Sequence, residues 1–148
     1  MTTYAEILRR IAPCGLDCGK CFSFPDSPIG RLARDLDSEL GGFGSRAAFF
    51  ASIDPVFADF PAFDRVLKRL STPTCEGCRS GECLLGDCGV KECVQRKGVD
   101  FCFQCPQFPC AVEGLPEAVK ARWLANNQRM KEEGVEAYFD WIKDKPRY

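Results

Sequence analysis

The chain has no histidine among its 148 residues, and that absence excludes a good deal. There can be no Cys–His nucleophilic dyad, no His-Glu-x-x-His metalloprotease helix and no three-histidine zinc site. General acid–base work would fall to Asp, Glu, Lys, Tyr or Cys, and no convincing pair of them stands out. Charge of one sign is also lacking. The formal net charge is −1, so nothing in it argues for a nucleic-acid partner or an anionic membrane surface. No apolar run is long enough to span a bilayer. The N-terminal stretch MTTYAEILRRIAPCG has no continuous apolar segment and carries Glu6, Arg9 and Arg10 in its middle, which argues against a secretory leader and for a cytoplasmic protein. Hydrophobic residues make up 45% and charged residues 28%, as in an ordinary globular chain. A single domain of this length can bury a core without needing metal merely because it is small.

What the chain has in abundance is cysteine, eleven in all. In an exported protein that density would suggest disulfides. Here the number is odd, close Cys-x2-Cys pairs recur and no export signal is visible, a pattern that favours metal thiolates. The first group, CGLDCGKC, places Cys14, Cys18 and Cys21 at Cys-x3-Cys-x2-Cys spacing. The second runs CEGCRSGEC, with Cys75, Cys78 and Cys83. The last, CFQCPQFPC, repeats the spacing of the second with Cys102, Cys105 and Cys110. Between them CGVKEC supplies Cys88 and Cys93. The matched triplets suggest two related knuckles around a short helix, Val90 to Lys97. A Cys-x2-Cys turn points two sulfurs to one side of a tight loop and suits one tetrahedral ion, and Gly77 eases such a turn by permitting positive φ. Cys88 and Cys93 lie five residues apart, about 140° round a helix, and cannot share a face. Cys88 is therefore expected on the lead-in to the helix, where the dipole favours thiolate.

Eleven thiols make two four-sulfur sites with three left over. The fourth ligand for Cys14, Cys18 and Cys21 must come from elsewhere in the chain, or a position stays open. If it comes from the later cysteines, the two ends of the chain are stapled across the segment that lies between. Zinc and iron–sulfur clusters both accept four thiolates. We expect zinc, two ions per chain, held by the cysteines at 14, 18, 21, 75, 78, 83, 88, 93, 102, 105 and 110, with an iron–sulfur cluster as the alternative. Phe101, Phe103 and Phe108 would wrap the last knuckle in apolar rings for either centre.

The remaining pattern is helical. A first helix is expected from Tyr4 to Ile11, ended by Pro13. Ile29, Leu32, Leu36 and Leu40 form an apolar stripe stopped by Gly41-Gly42. Ser45 is a candidate N-cap for SRAAFFASI, and Asp54 with Pro55 opens another helix that Pro61 breaks or restarts. Phe63, Val66, Leu67 and Leu70 make a further stripe, and the row Phe49, Phe50, Phe57, Phe60 and Phe63 is expected in the core. Pro116 opens a tail helix with Val119, Trp123 and Met130 on one face and Gly134 as its stop. A last helix turns Tyr138, Phe139, Trp141 and Ile142 toward the body. The fold class is thus mainly α, a small cysteine-rich domain with metal-stapled knuckle loops and few or no strands. We divide its 1–148 span into an N-terminal cysteine turn (1–27), a helical middle (28–71), a cysteine-rich metal region (72–113) and a helical tail (114–148).

Two resemblances bear on function. The spacing of Cys14, Cys18 and Cys21 is similar to the cluster motif of radical S-adenosylmethionine enzymes. Lys20, however, stands where those enzymes usually carry an aromatic residue, and the strand–helix units of a partial barrel do not follow. Taken together, APCGLDCGKC, CEGCR, CGVKEC and KGVDFCFQCPQFPC resemble the family known as domain of unknown function 3795. Its frame falls on Cys14, Cys18, Cys21, Cys75, Cys78, Cys88, Cys93, Cys102, Cys105 and Cys110, and Val90-Lys91 stands where Ile-Arg is common. The resemblance implies a metal-binding cysteine-rich domain and no particular activity. The expected role is a binding or adaptor module for an unidentified protein partner, with structural metal and no catalytic residues. The alternatives are an iron–sulfur protein in electron transfer or redox sensing, and a small enzyme with an open thiolate–metal site.

Overall fold

The computed structural model describes residues 2–81, 83–86 and 88–148. It is mainly helical, about 60% helix, and among the described residues the only β pairing is an isolated antiparallel bridge between Ile11 and Asp17. No helix among them is long and apolar enough to cross a membrane. The chain divides into two compact units, Met1–Cys21 with Cys75–Tyr148, and Phe22–Thr74. Every cysteine belongs to the first unit.

The first unit begins with α1, Tyr4–Arg10, opened by a capping box between Thr3 and Glu6. After the cysteine turn and the segment from Cys75 come α5 (Val90–Lys97), α6 (Glu117–Glu133) and α7 (Val135–Ile142). α5 takes the bounds its sequence predicts and ends on Gly98 at φ +65°. Gly134, at φ +90°, lets the chain turn sharply from α6 into α7. Ile7, Ile11, Phe101, Met130, Val135, Tyr138, Phe139 and Ile142 close one core. A second core forms around the cysteines with Leu16, Val90, Val94, Leu115 and Trp123. Trp141 departs from expectation: it is 36% exposed and carries Arg129 over its ring, 4.0 Å from the centroid.

The second unit holds α2 (Pro28–Leu40), α3 (Ala47–Ile53) and α4 (Phe60–Ser71). Ser27 caps α2 by accepting from the Gly30 N–H at 3.0 Å, and Asp54 caps a 3-10 turn, Pro55–Asp59, by accepting from Val56. Pro61 restarts the chain as α4. Ser45 is no N-cap. Its hydroxyl donates to the Gly42 carbonyl at 2.7 Å, and α3 starts after Arg46 without a side-chain cap. The apolar stripes are also placed differently from expectation. α2 and α4 pack on each other, and the buried positions of α2 are Gly30 and Ala33, so the small face is the inner one. Leu32 is 67% exposed and Leu36 44%. On α4 only Leu67 is buried, while Phe63 and Val66 are exposed. The phenylalanine row is not a core either. Phe49 and Phe63 are exposed, and Phe50, Phe57 and Phe60 are half-buried around Phe43, whose ring lies 4.6 Å from that of Phe60 and 4.9 Å from that of Phe50. A unit this short cannot enclose so many large rings, because its surface is large relative to its volume.

Candidate metal centre

The first cysteine turn is a hairpin-like loop closed by the Ile11–Asp17 bridge. Ala12 donates to Leu16 at 2.9 Å and Gly15 to Ala12 at 2.8 Å. Gly15 sits at φ +82°, and a Cβ built on it would lie 2.5 Å from Cβ of Asn126, so only glycine fits. Asp17, 2% exposed, takes Arg10 Nη2 at 2.7 Å and the Gly19 N–H at 3.0 Å, which gives both carboxylate oxygens a partner, as burial of the charge requires. Cys18–Lys20 then forms a 3-10 turn in which Cys21 donates to the Cys18 carbonyl at 2.9 Å.

The tail helices hold this loop from behind. Asn126 donates to the Gly15 carbonyl at 3.1 Å, and the Tyr138 hydroxyl donates to the same oxygen. Asn127, fully buried, donates to Pro13 and to Trp123 and accepts from the Phe103 N–H at 3.0 Å. The Cys102 N–H also donates to Pro13, at 3.3 Å. The last knuckle is thereby bound to the first. The two are built alike, since Cys102–Gln104 is again a 3-10 turn with Cys105 donating to Cys102 at 3.1 Å. The match in sequence spacing is between the triplets starting at Cys75 and Cys102, but the match in backbone is between the pairs starting at Cys18 and Cys102. The Cys75–Cys78 turn differs because Gly77 takes φ +104°, which brings its N–H to Cys75 Sγ at 3.4 Å.

Arg79 docks that middle turn on the first unit's core. Its guanidinium donates to Leu8 at 3.0 Å, Ile11 at 3.3 Å and Asp100 at 2.7 Å, and lies 5.0 Å over the Phe101 ring. Burial lowers its pKa. Cys88 lies on the lead-in to α5, as expected. The adjoining Gly89 N–H donates to Glu113 at 3.2 Å, and a Cβ at Gly89 would meet that carbonyl at 2.6 Å, so the backbone there is held close.

These contacts gather the thiols from three distant segments. Cys14, Cys78 and Cys102 are buried in one core cluster, with Cys18 and Cys88 packed against it. Burial pushes the Cys14 thiol well above its usual range, and the charges of Cys18, Cys78 and Cys88 add to that. Cys18 is pushed up to about 12 by burial and by Cys78 and Cys83, although the Cys78 backbone N–H and Arg147 pull the other way. Cys78 is pushed to about 11 by burial, Cys83 and Cys88, opposed by Arg79 and Lys91. A second neighbourhood contains Cys93, Cys102, Cys105 and Cys110. Cys102 is raised to about 11, first by burial and then by Cys110, Cys93 and Cys88, while Cys110 is raised by burial, Cys93 and Cys105. For Cys14, Cys18, Cys78, Cys102 and Cys110 burial thus favours the protonated thiol, and a nearby cation would reverse that.

Among the described residues, no three Cys, Asp or Glu side chains already converge at ligating separations. The chemistry of the surroundings nevertheless fits a thiolate centre. Trp123 Nε1 is buried beside Cys102, and hydrogen bonding to that sulfur lowers its pKa. Such a donor is best satisfied by a sulfur carrying negative charge. The sequence reading gave no role to Asp17, Asn126 or Asn127, and none to Arg79 beyond its place in the CEGCR frame. The polar pair Asn126-Asn127 interrupting the apolar face of α6 was the available signal, since a buried amide must be satisfied.

Fold and cysteine arrangement together define a small, mainly helical, cysteine-rich protein. A family model described as protein of unknown function, DUF3795, matches residues 10–113, a span that includes all eleven cysteines, and the chain belongs to that family. No curated protein and no solved structure matches it.

Proposed function

We propose that this is a zinc-binding protein of the cytoplasm in which two metal-thiolate sites staple the first unit and the second unit offers a docking surface to a protein partner. The observation that carries the metal reading is that one core cluster gathers Cys14, Cys18, Cys78, Cys88 and Cys102 from segments that are far apart in sequence, and we assign the first four to one set. Cys93, Cys102, Cys105 and Cys110 form the second set, supported by their mutual electrostatic influence and by the buried Trp123 N–H beside Cys102. The count leaves Cys21, Cys75 and Cys83 outside the two quartets. Zinc takes four thiolates tetrahedrally and closes such a site, which makes it structural. The adaptor role is supported by Leu32, Phe49, Ile53, Val56, Phe63 and Val66, large apolar side chains of the second unit that are left exposed.

The test is elemental analysis and a visible spectrum of protein purified without oxygen. A colourless protein with about two zinc ions per chain is the expected result. A brown protein containing iron and sulfide would overturn the zinc reading and make electron transfer or redox sensing the leading function.

A further inference from the structure

A groove of about 360 Å³ opens on the second unit, between the end of α2 and the start of α4. Leu36 and Leu40 line it from α2, Phe60 and Phe63 from α4, with Phe43 and Phe57 beside them. Leu36 and Phe63 are each 44% exposed, so the groove presents apolar surface to water. The two helices run antiparallel there, because late residues of α2 meet early residues of α4. Leu32, a turn before Leu36, and Val66, a turn after Phe63, therefore continue both walls in the same direction, and both are exposed. From Leu32 to Leu40 the α2 wall is about 12 Å long at the rise of a helix, a little over two turns.

The charge placed at this groove is negative. Asp59 is its one charged lining residue, and no Lys or Arg lines it. Asp54 holds its carboxylate at the Val56 edge by accepting from that residue's N–H at 3.1 Å. Glu39 adjoins Leu40 and stands a turn from Leu36. Among the described residues no cation pairs with Glu39, Asp54 or Asp59. The cations of α2 and α4 are directed elsewhere. Lys68 pairs with Asp37, Arg34 donates to the Ser71 and Pro25 carbonyls, and Arg69 donates to Thr72 and Ser23. Arg31 and Arg65 each stand two residues from a buried one, Ala33 and Leu67, about 160° round the helix and so outward.

A second copy of this chain set face to face would bring the same carboxylates to the groove, and like charges opposed across an interface are unfavourable. Among the described residues the second unit has no strand, so a guest has no sheet edge to join. What fits the seam of two helices is the side-chain ridge of a third. We infer that the groove between α2 and α4 docks a basic amphipathic helix of a partner protein, its apolar side chains seated on Leu36, Phe60 and Phe63 and its Lys or Arg flanks meeting Glu39, Asp54 and Asp59. The inference rests on the adaptor reading above and gives that partner its chemistry.

The test is fluorescence anisotropy with the intact protein and two synthetic probes. Each is a helical peptide of about 18 residues with leucine at i, i+4, i+7 and i+11, one with lysine on the flanking positions and the other with glutamate. The lysine peptide is expected to bind about tenfold more tightly at low salt, and the gap to close by roughly 0.5 M salt. Phe63→Ser should weaken its binding by about tenfold or more. Glu39→Gln combined with Asp59→Asn should cut the preference for lysine to about twofold or less. All three positions are exposed, and an unchanged far-UV circular dichroism spectrum checks that each variant is folded. Equal binding of the two peptides, a lysine preference that survives both carboxylate changes, or binding untouched by Phe63→Ser would each overturn the inference while leaving a docking role for the unit. A dimer that Phe63→Ser dissociates in sedimentation would overturn it in favour of a second copy. Failure of both peptides to bind would overturn the adaptor reading as well.

Discussion

Single residues decide whether the first cysteine turn can form. Gly15 is one. It combines a left-handed backbone with a close approach to Asn126, so an added methyl must both strain the chain and displace α6. Gly15→Ala is expected to destabilise the protein by about 2–4 kcal/mol, read from chemical denaturation, and a loss below about 1 kcal/mol would show that the turn can relax. Asp17 and Asn127 are of the same kind. Each is a buried polar side chain whose every strong bond goes to the backbone or to a fixed partner, and such groups orient a site because leaving them unpaired is costly. None of them was legible as a site residue, since a sequence shows a polar residue but not its burial.

At the scale of elements, local rules were largely sufficient. Pro at the first positions, Gly at the ends and the spacing of apolar residues set most helix bounds near those observed. α1 shows one consequence in solution. Bonds from the Thr3 backbone and hydroxyl lower the Glu6 pKa below its usual 4.5. A carboxylate with a depressed folded pKa adds stability above the unfolded value, and that stability is lost as pH falls through the folded one. Wild-type protein should therefore lose more stability than Glu6→Gln when pH is lowered through 4.5 and below, in paired denaturation curves; parallel curves would show that the capping box does not couple to folding. Local rules failed at Ser45, where the hydroxyl found a backbone carbonyl instead of a helix N–H. They failed again on α2, where Gly30 and Ala33 face inward in place of the leucines. Close approach of two helices favours small residues at the contact, and periodicity alone cannot tell a stripe that packs on a neighbour from one left open.

On the scale of the whole molecule, all the thiols lie in one unit and the exposed phenylalanines, Phe49 and Phe63, in the other. Structural zinc contributes roughly 10–16 kcal/mol in small metal-dependent folds, so if the thiols hold zinc as proposed, chelation under reducing conditions should strip hydrogen-exchange protection from α1, α5 and α6 while α2 and α4 keep theirs. Equal loss in both units would mean that they fold as one cooperative body and that metal supports the second as well as the first.

Composition and spacing alone determined the helical class, the cysteine-rich character, the family and the absence of histidine chemistry, because these depend on residue identity and on distances along the chain. Which thiols become neighbours in space was decided only by the tertiary structure. Cys18 meets Cys78 because Arg79 is anchored on Leu8, Ile11 and Asp100, and Cys102 is fastened to Pro13 through its own N–H and through Asn127. Those are contacts between segments up to more than a hundred residues apart, set by hydrogen bonds that only the folded backbone can offer.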